Sequence, residues 1–188
     1  MLGITASSAT VGGGGTPPGP VAIVNNSGTT VTPQGSDVYR VEKTGGADGS
    51  WDADAVAATG FTGDFVVRVQ PLQNNKSKMF GITSDPLANS SFNTLDYALY
   101  LEPGTAVGDY YSNGSQAGTG ALYGAHYFST WRFFMRRVGT TLTFLKGLTD
   151  NIADATVDFT FNSVTGTLFF DCSINGSGGG FDVYAEAL

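Results

Sequence analysis

Recognition of a sugar needs flat aromatic faces for the apolar side of the ring and planar amide or carboxylate groups for its hydroxyls. Three places in the sequence supply both: Trp51 beside Asp52, Tyr110 and Tyr111 beside Asn113, and Tyr123 and Tyr127 around His126. The candidate glycan contacts are therefore Trp51, Asp52, Tyr110, Tyr111, Asn113, Tyr123 and His126. Aromatic side chains also build cores, and Trp51 and one tyrosine of each pair are the ones a core would claim.

Other chemistries find less material. A glycoside hydrolase needs two carboxylates flanking the scissile bond, yet Glu42 lies near a loop, Glu102 abuts Pro103 and Glu186 is close to the end of the chain. Asp52 and Asp54 share a face if that stretch is extended, but beside Trp51 they suit turn and capping roles. The one histidine, His126, has no Gly-x-Ser-x-Gly elbow to serve. His126 and the distant Cys172 make no zinc set. For calcium, Asp48, Asp52 and Asp54 around Gly49 form the best oxygen cluster and Asp150 with Asp154 the next, without the compact spacing of a dedicated loop. The expectation is a binding protein that is not an enzyme, with no cofactor and no metal.

The elements that must position these residues follow from composition. At 188 residues, 41% hydrophobic and 13% charged, the chain suits one domain with an ample core plus an appendage. A net charge of −7 with nine Lys plus Arg leaves too little cationic surface to track nucleic-acid phosphates. The acids are mostly Asp, a turn former, so few helices are expected; the best helical stretch is 52–58. Cys172 is alone and sits in an alternating apolar run, which predicts a buried thiol and excludes an intrachain disulfide. No cationic side chain precedes Arg40 and no long apolar run occurs, so neither a signal peptide nor membrane insertion is expected.

Residues 1–35 read as an arm: four glycines at 12–15, prolines at 17, 18 and 20, and no charge before Asp37. Its ends, Met1 to Ile4 and Val21 to Val24, are apolar enough to dock on a partner or on the domain itself. From 36 to 188 the apolar period is two. Phe65-Val67-Val69, Tyr97-Leu99-Leu101, Trp131-Phe133-Met135, Leu142-Phe144-Leu148, Val157-Phe159-Phe161 and Leu168-Phe170-Cys172-Ile174 each mark one face of a strand. Turn residues separate them, with tight hairpins expected at Gly139 and at Asn113-Gly114. Ten to twelve strands in about 150 residues predict an all-β, antiparallel sandwich of jelly-roll type.

The order Val38-Tyr39-Arg40, then Gly49-Ser50-Trp51-Asp52, then Phe61 to Val69, Met79-Phe80-Gly81-Ile82, Asp96 to Leu101, Tyr110 to Gly114 and Arg132 to Lys146 resembles concanavalin A-like (laminin G or SPRY-like) sandwich domains of phage structural proteins. The resemblance covers 36–188 and lies in order and spacing, with no catalytic signature. It implies a component of a virion appendage (tail fibre, tail tip or head spike of a phage or gene transfer agent) that recognises carbohydrate or protein. Its expected partners are other virion proteins through the arm, a host surface glycan, and copies of itself as a trimer or pentamer. Its expected location is the virion, assembled in the host cytoplasm and released by lysis. The alternative is a purely structural adaptor that joins virion proteins and reads no glycan.

Overall fold

The computed structural model describes residues 19–87, 89–103, 108–120 and 128–188. Two antiparallel sheets face each other, as the period of two requires. The first runs in the order β13 (Thr156–Phe161), β12 (Thr141–Gly147), β11 (Arg132–Val138), β6 (Phe65–Pro71), β15 (Gly180–Ala187), β4 (Val38–Lys43) and β3 (Thr29–Gly35). A short β1 (Gly19–Pro20) also pairs with the end of β15, making eight strands. The second runs β10 (Ser115–Thr119), β9 (Gly108–Ser112), β8 (Tyr97–Leu101), β7 (Lys78–Thr83), β14 (Phe169–Ile174), β5 (Asp54–Ala57) and β2 (Ile23–Ser27).

Alternation fills the space between the sheets. Phe65, Val67 and Val69, Phe133 and Met135, and Leu142 and Phe144 meet Phe80 and Ile82, Leu99 and Leu101, and Phe170, Cys172 and Ile174. Phe80 touches Phe133 and Phe181 across the interior, with ring centroids 5.7 and 5.4 Å apart. Each such ring removed from water contributes about 2–3 kcal/mol. The Cys172 thiol is buried and lies 3.5 Å from the Ala55 carbonyl, as its run predicts. The hairpins at Gly139 and Asn113-Gly114 join β11 to β12 and β9 to β10.

Four expectations need correction. The arm does not extend to residue 35: β2 and β3 are edge strands of the two sheets, and Val21, Ile23 and Thr29 are buried. An edge strand tolerates proline, so Pro33 in β3 disguised the strand as linker. Residues 1–18 lie outside the described residues. The 52–58 stretch holds strand β5, not helix, because Ala55 and Ala57 pack inward while Val56 pairs with Asp171. The pattern Val157-Phe159-Phe161 does not share one face: the pairing of β12 with β13 slips between Phe144 and Leu145, so Val157 is exposed and Asp158 turns inward. Leu148 is exposed, and Lys146 takes the inward position after Phe144.

Candidate functional site

Strands β7, β8 and β9 lie side by side, and the residues between their inward ones point to the outer face of the seven-stranded sheet. Met79 pairs with Tyr100, Tyr100 with Asp109, and Ala98 with Tyr111. Gly81 and Ala98 keep this patch low. A Cβ on Gly81 would collide with the Tyr97 carbonyl oxygen and the Ala98 backbone, so only glycine lets β8 approach there. The segment between β7 and β8 then folds over the face, tied down by Ser173 Oγ to the Ser90 carbonyl at 2.6 Å and Thr83 Oγ1 to the Thr94 carbonyl at 3.0 Å.

Phe92 from that segment and Trp51 from the stretch before β5 complete an aromatic cleft of about 150 Å³, lined by Trp51, Met79, Phe92, Tyr100 and Tyr111. Trp51 lies 5.4 Å from Phe92 and 5.7 Å edge-on from Tyr100, and Tyr100 lies 6.3 Å edge-on from Tyr111. Such tilted contacts hold the rings in place while leaving faces toward solvent. The cluster packs on buried Met79, Leu95 and Ala98. Burial, with the negative charges of Glu102 and Asp109 nearby, raises the pKa of the Tyr100 phenol. Burial and Asp109 raise that of Tyr111. Both hydroxyls therefore stay protonated at neutral pH; that of Tyr100 donates to Ser77 Oγ at 3.5 Å, and that of Tyr111 can donate to a ligand oxygen.

The structure sorts the sequence candidates. Trp51 and Tyr111 share the cleft. Asn113 sits in the exposed β9–β10 turn with φ +49°, and the following Gly114 (φ +74°) packs against Asn93, the neighbour of Phe92. Asn113 thus lies at the end of the face where the cleft is, outside its lining. Tyr110 is no glycan contact: it points into the core, stacks on Phe159 at 4.6 Å, and donates its hydroxyl to Asp158 Oδ2 at 2.5 Å. Adjacent residues of a strand face opposite ways, so Tyr110 and Tyr111 could not serve one site. Tyr123 and His126 lie outside the described residues.

Asp52 is occupied elsewhere. The Lys43 ammonium, fully buried, donates to Asp52 Oδ1 at 2.5 Å and to the carbonyls of Ala47, Ser50 and Asn175 at 2.9, 2.7 and 3.0 Å. That cage fastens the loop before Trp51 to the turn after β14. The Lys43 hydrogen bond, then the Ala47 N–H, hold the Asp52 carboxyl below the ordinary carboxylate pKa. The Asp48, Asp52 and Asp54 cluster is dispersed accordingly: Asp48 accepts from the Ser177 N–H at 2.7 Å, and Asp54 is buried on the outer face of β5. Among the described residues no three His, Cys, Asp or Glu side chains come together as a metal site.

Sequence reasoning missed Met79, Phe92 and Tyr100. Tyr100 had a usable signal, an aromatic on the polar side of an otherwise alternating strand. Phe92 had a weaker one, a lone aromatic among Asn89, Ser90, Ser91 and Asn93. Met79 had none.

No protein-family model matches the sequence, and no curated protein matches it. Solved structures do resemble the fold. Stonustoxin superposes with a TM-score of 0.61 at 12% identity over 87% of this chain, which spans 28% of the stonustoxin chain. The legume lectin-like domain from Entamoeba histolytica gives 0.61 at 8% identity, covering 89% of this chain and 90% of that one. The exoplasmic/lumenal domain of VIP36, in a form bound to Ca2+ and Man3GlcNAc, gives 0.56 at 14% identity, covering 88% and 83%. At these identities the likeness concerns architecture, and the architecture is that of a concanavalin A-like β-sandwich.

Proposed function

We propose that this chain is a non-catalytic carbohydrate-binding module, and that the Trp51–Tyr100–Tyr111 cleft is where a sugar ring docks. The observation that carries the reading is the cleft itself: three amphipathic aromatics and Phe92 meet on a solvent-facing sheet surface, where a core explanation would bury them. Lectin-like neighbours support it, VIP36 among them with its bound mannose glycan. Binding without turnover fits the carboxylates, since Asp52 is held by Lys43, Asp182 by Arg40 and Asp158 by Lys146.

The setting we propose is a virion appendage of a phage or phage-like particle, with the N-terminal segment as attachment and a symmetric oligomer as the assembled form. The segment to delete in testing attachment is 1–18, since residues 19–35 contribute strands. A folded, glycan-binding protein that no longer incorporates into particles is the expected result, and normal incorporation refutes the attachment role.

The binding test is a glycan array probed with the full chain and with Tyr111→Ala, a half-buried position whose loss leaves the core intact. Saturable binding that Tyr111→Ala weakens at least tenfold is expected. A folded protein that binds no glycan refutes the reading and favours the adaptor.

A further inference from the structure

The cations of this acidic chain are unevenly placed. Of nine Lys and Arg, Lys43, Lys78, Arg137 and Lys146 are buried, and Lys76 stands against Asp48. The other four, Arg40, Arg68, Arg132 and Arg136, all alternate outward on the eight-stranded sheet, the face opposite the aromatic cleft. Registers place them on a grid: Arg68 of β6 lies between Phe134 of β11 and Tyr184 of β15, and Asp182 of β15 lies between Gln70 and Arg40.

This face carries a polar groove of about 530 Å³, with Gln34, Ser36 and Val38 at one wall and Asp150 at the other, and Arg68, Gln70 and Tyr184 along its floor. Its size is that of a small-molecule or oligosaccharide site. The Arg68 guanidinium packs 5.6 Å from the Tyr184 ring, and the Tyr184 hydroxyl donates to Glu186 at 2.8 Å. Tyr184 is thus an aromatic platform with its own partner satisfied.

The two acids in the groove are held differently. Asp182 belongs to the sheet and takes Arg40 in a bidentate pair at 2.8 and 2.9 Å. Asp150 comes from the loop between β12 and β13, with its side chain 58% exposed, yet it bridges Arg68 Nη1 at 3.1 Å and Arg132 Nε at 2.8 Å. Two fixed guanidiniums on neighbouring strands therefore converge on one carboxylate that the sheet does not supply. An exposed pair of this kind contributes little to stability, so its exchange for another carboxylate costs little.

We infer that the outer face of the eight-stranded sheet is a second binding site, for a carboxylate-bearing sugar chain, in which Arg68 and Arg132 grip the carboxylate and Asp150 is a tethered stand-in that the ligand displaces. Gln34, Ser36 and Gln70 offer the donors and acceptors that hydroxyl-rich residues need, and Tyr184 offers a ring face. The apolar pockets that an acidic peptide would need for its side chains are few here, with Val38 the apolar member of the lining, so a sugar chain is favoured over a peptide.

The test is calorimetric titration of the full chain with oligogalacturonate, oligoalginate and oligosialic acid, with methyl-esterified oligogalacturonate and poly-glutamate as comparisons. Asp150→Asn frees both arginines, so affinity for at least one carboxylated glycan should rise roughly tenfold, and Arg68→Gln in that background should abolish it. The esterified ligand should not bind. A merely structural Asp150 predicts no gain on substitution. The inference is overturned if no carboxylated glycan binds folded Asp150→Asn, if Arg68→Gln leaves binding unchanged, or if poly-glutamate binds as well as the sugars. Because the aromatic cleft lies on the other sheet, Tyr111→Ala should not alter this binding, which separates the two sites.

Discussion

Replacing Lys78 with methionine should change how stability depends on pH. The Lys78 ammonium is fully buried at the inner edge of β7, where it donates to the Gln73 carbonyl at 2.9 Å, Gln73 Oε1 at 3.2 Å and the Gly180 carbonyl at 3.3 Å, 5.6 Å from the Phe181 ring. Neutral acceptors compensate only part of the lost hydration, and burial lowers its pKa from 10.5 to about 7. The unfolded chain keeps this proton up to about pH 10, whereas the folded chain sheds it near 7. Between those values the unfolded state binds more protons, so stability must rise with pH. From pH 7 to 9.5 the gain approaches one proton's worth per unit, about 3 kcal/mol in all. Above that window the raised pKa values of Tyr100, Tyr111 and Tyr184 act in the opposite sense, since the folded state holds those protons longer. The assay is urea unfolding at half-unit steps from pH 7 to 9.5 on wild type and Lys78→Met. The wild-type midpoint should climb relative to that of Lys78→Met by the amount given, while the Cys172 thiol, its pKa pushed up by burial, lowers both curves alike toward pH 9.5. Parallel curves would refute the assignment of a mostly neutral buried amine.

Three further outcomes follow from the same structure. Asp171 is buried, and desolvation, with Asp54 adding repulsion, raises its carboxyl pKa well above the usual value, so its folded state holds a proton that the unfolded chain gives up. Stability should therefore fall as pH rises from about 4 toward neutrality, and Asp171→Asn should flatten that decline in a denaturation series. Lys43→Met should cost about 2–3 kcal/mol in urea unfolding, because four carbonyls and Asp52 lose their donor. Gly81→Ala should abolish or severely weaken folding, read as loss of the cooperative thermal transition, since its Cβ has no room against the Tyr97 carbonyl.

Much of this fold is legible in the sequence because strand alternation is strict where both sheets meet. Phe65, Val67 and Val69 or Phe170, Cys172 and Ile174 can face only one way. The same phase also reaches three lysines. Lys43 continues Tyr39 and Val41, Lys78 precedes Phe80 and Ile82, and Lys146 follows Leu142 and Phe144, so each lies at or near one end of its strand on the inner side, where an ammonium reaches carbonyls or a carboxylate. The face change at Asp158 was not legible, since one extra residue in β13 reverses every later side chain without altering local composition. The edge strands β2 and β3 were hidden by their glycine, proline and asparagine content, which an edge tolerates and a central strand does not. Of the site, Trp51 and Tyr111 were visible as residue types. Their meeting with Tyr100 and Phe92 depends on the pairing of β8 with β9 and on the path of the segment that crosses the sheet, which no local pattern encodes.

The most direct test of the aromatic cleft uses its own indole. The chain has two tryptophans, and Trp131→Phe leaves Trp51 as the sole reporter. Titrating that variant with the glycan selected on the array should shift and saturate Trp51 emission at the same midpoint as binding measured by calorimetry. Calorimetric binding with Trp51 emission unchanged would place the sugar elsewhere and contradict the account.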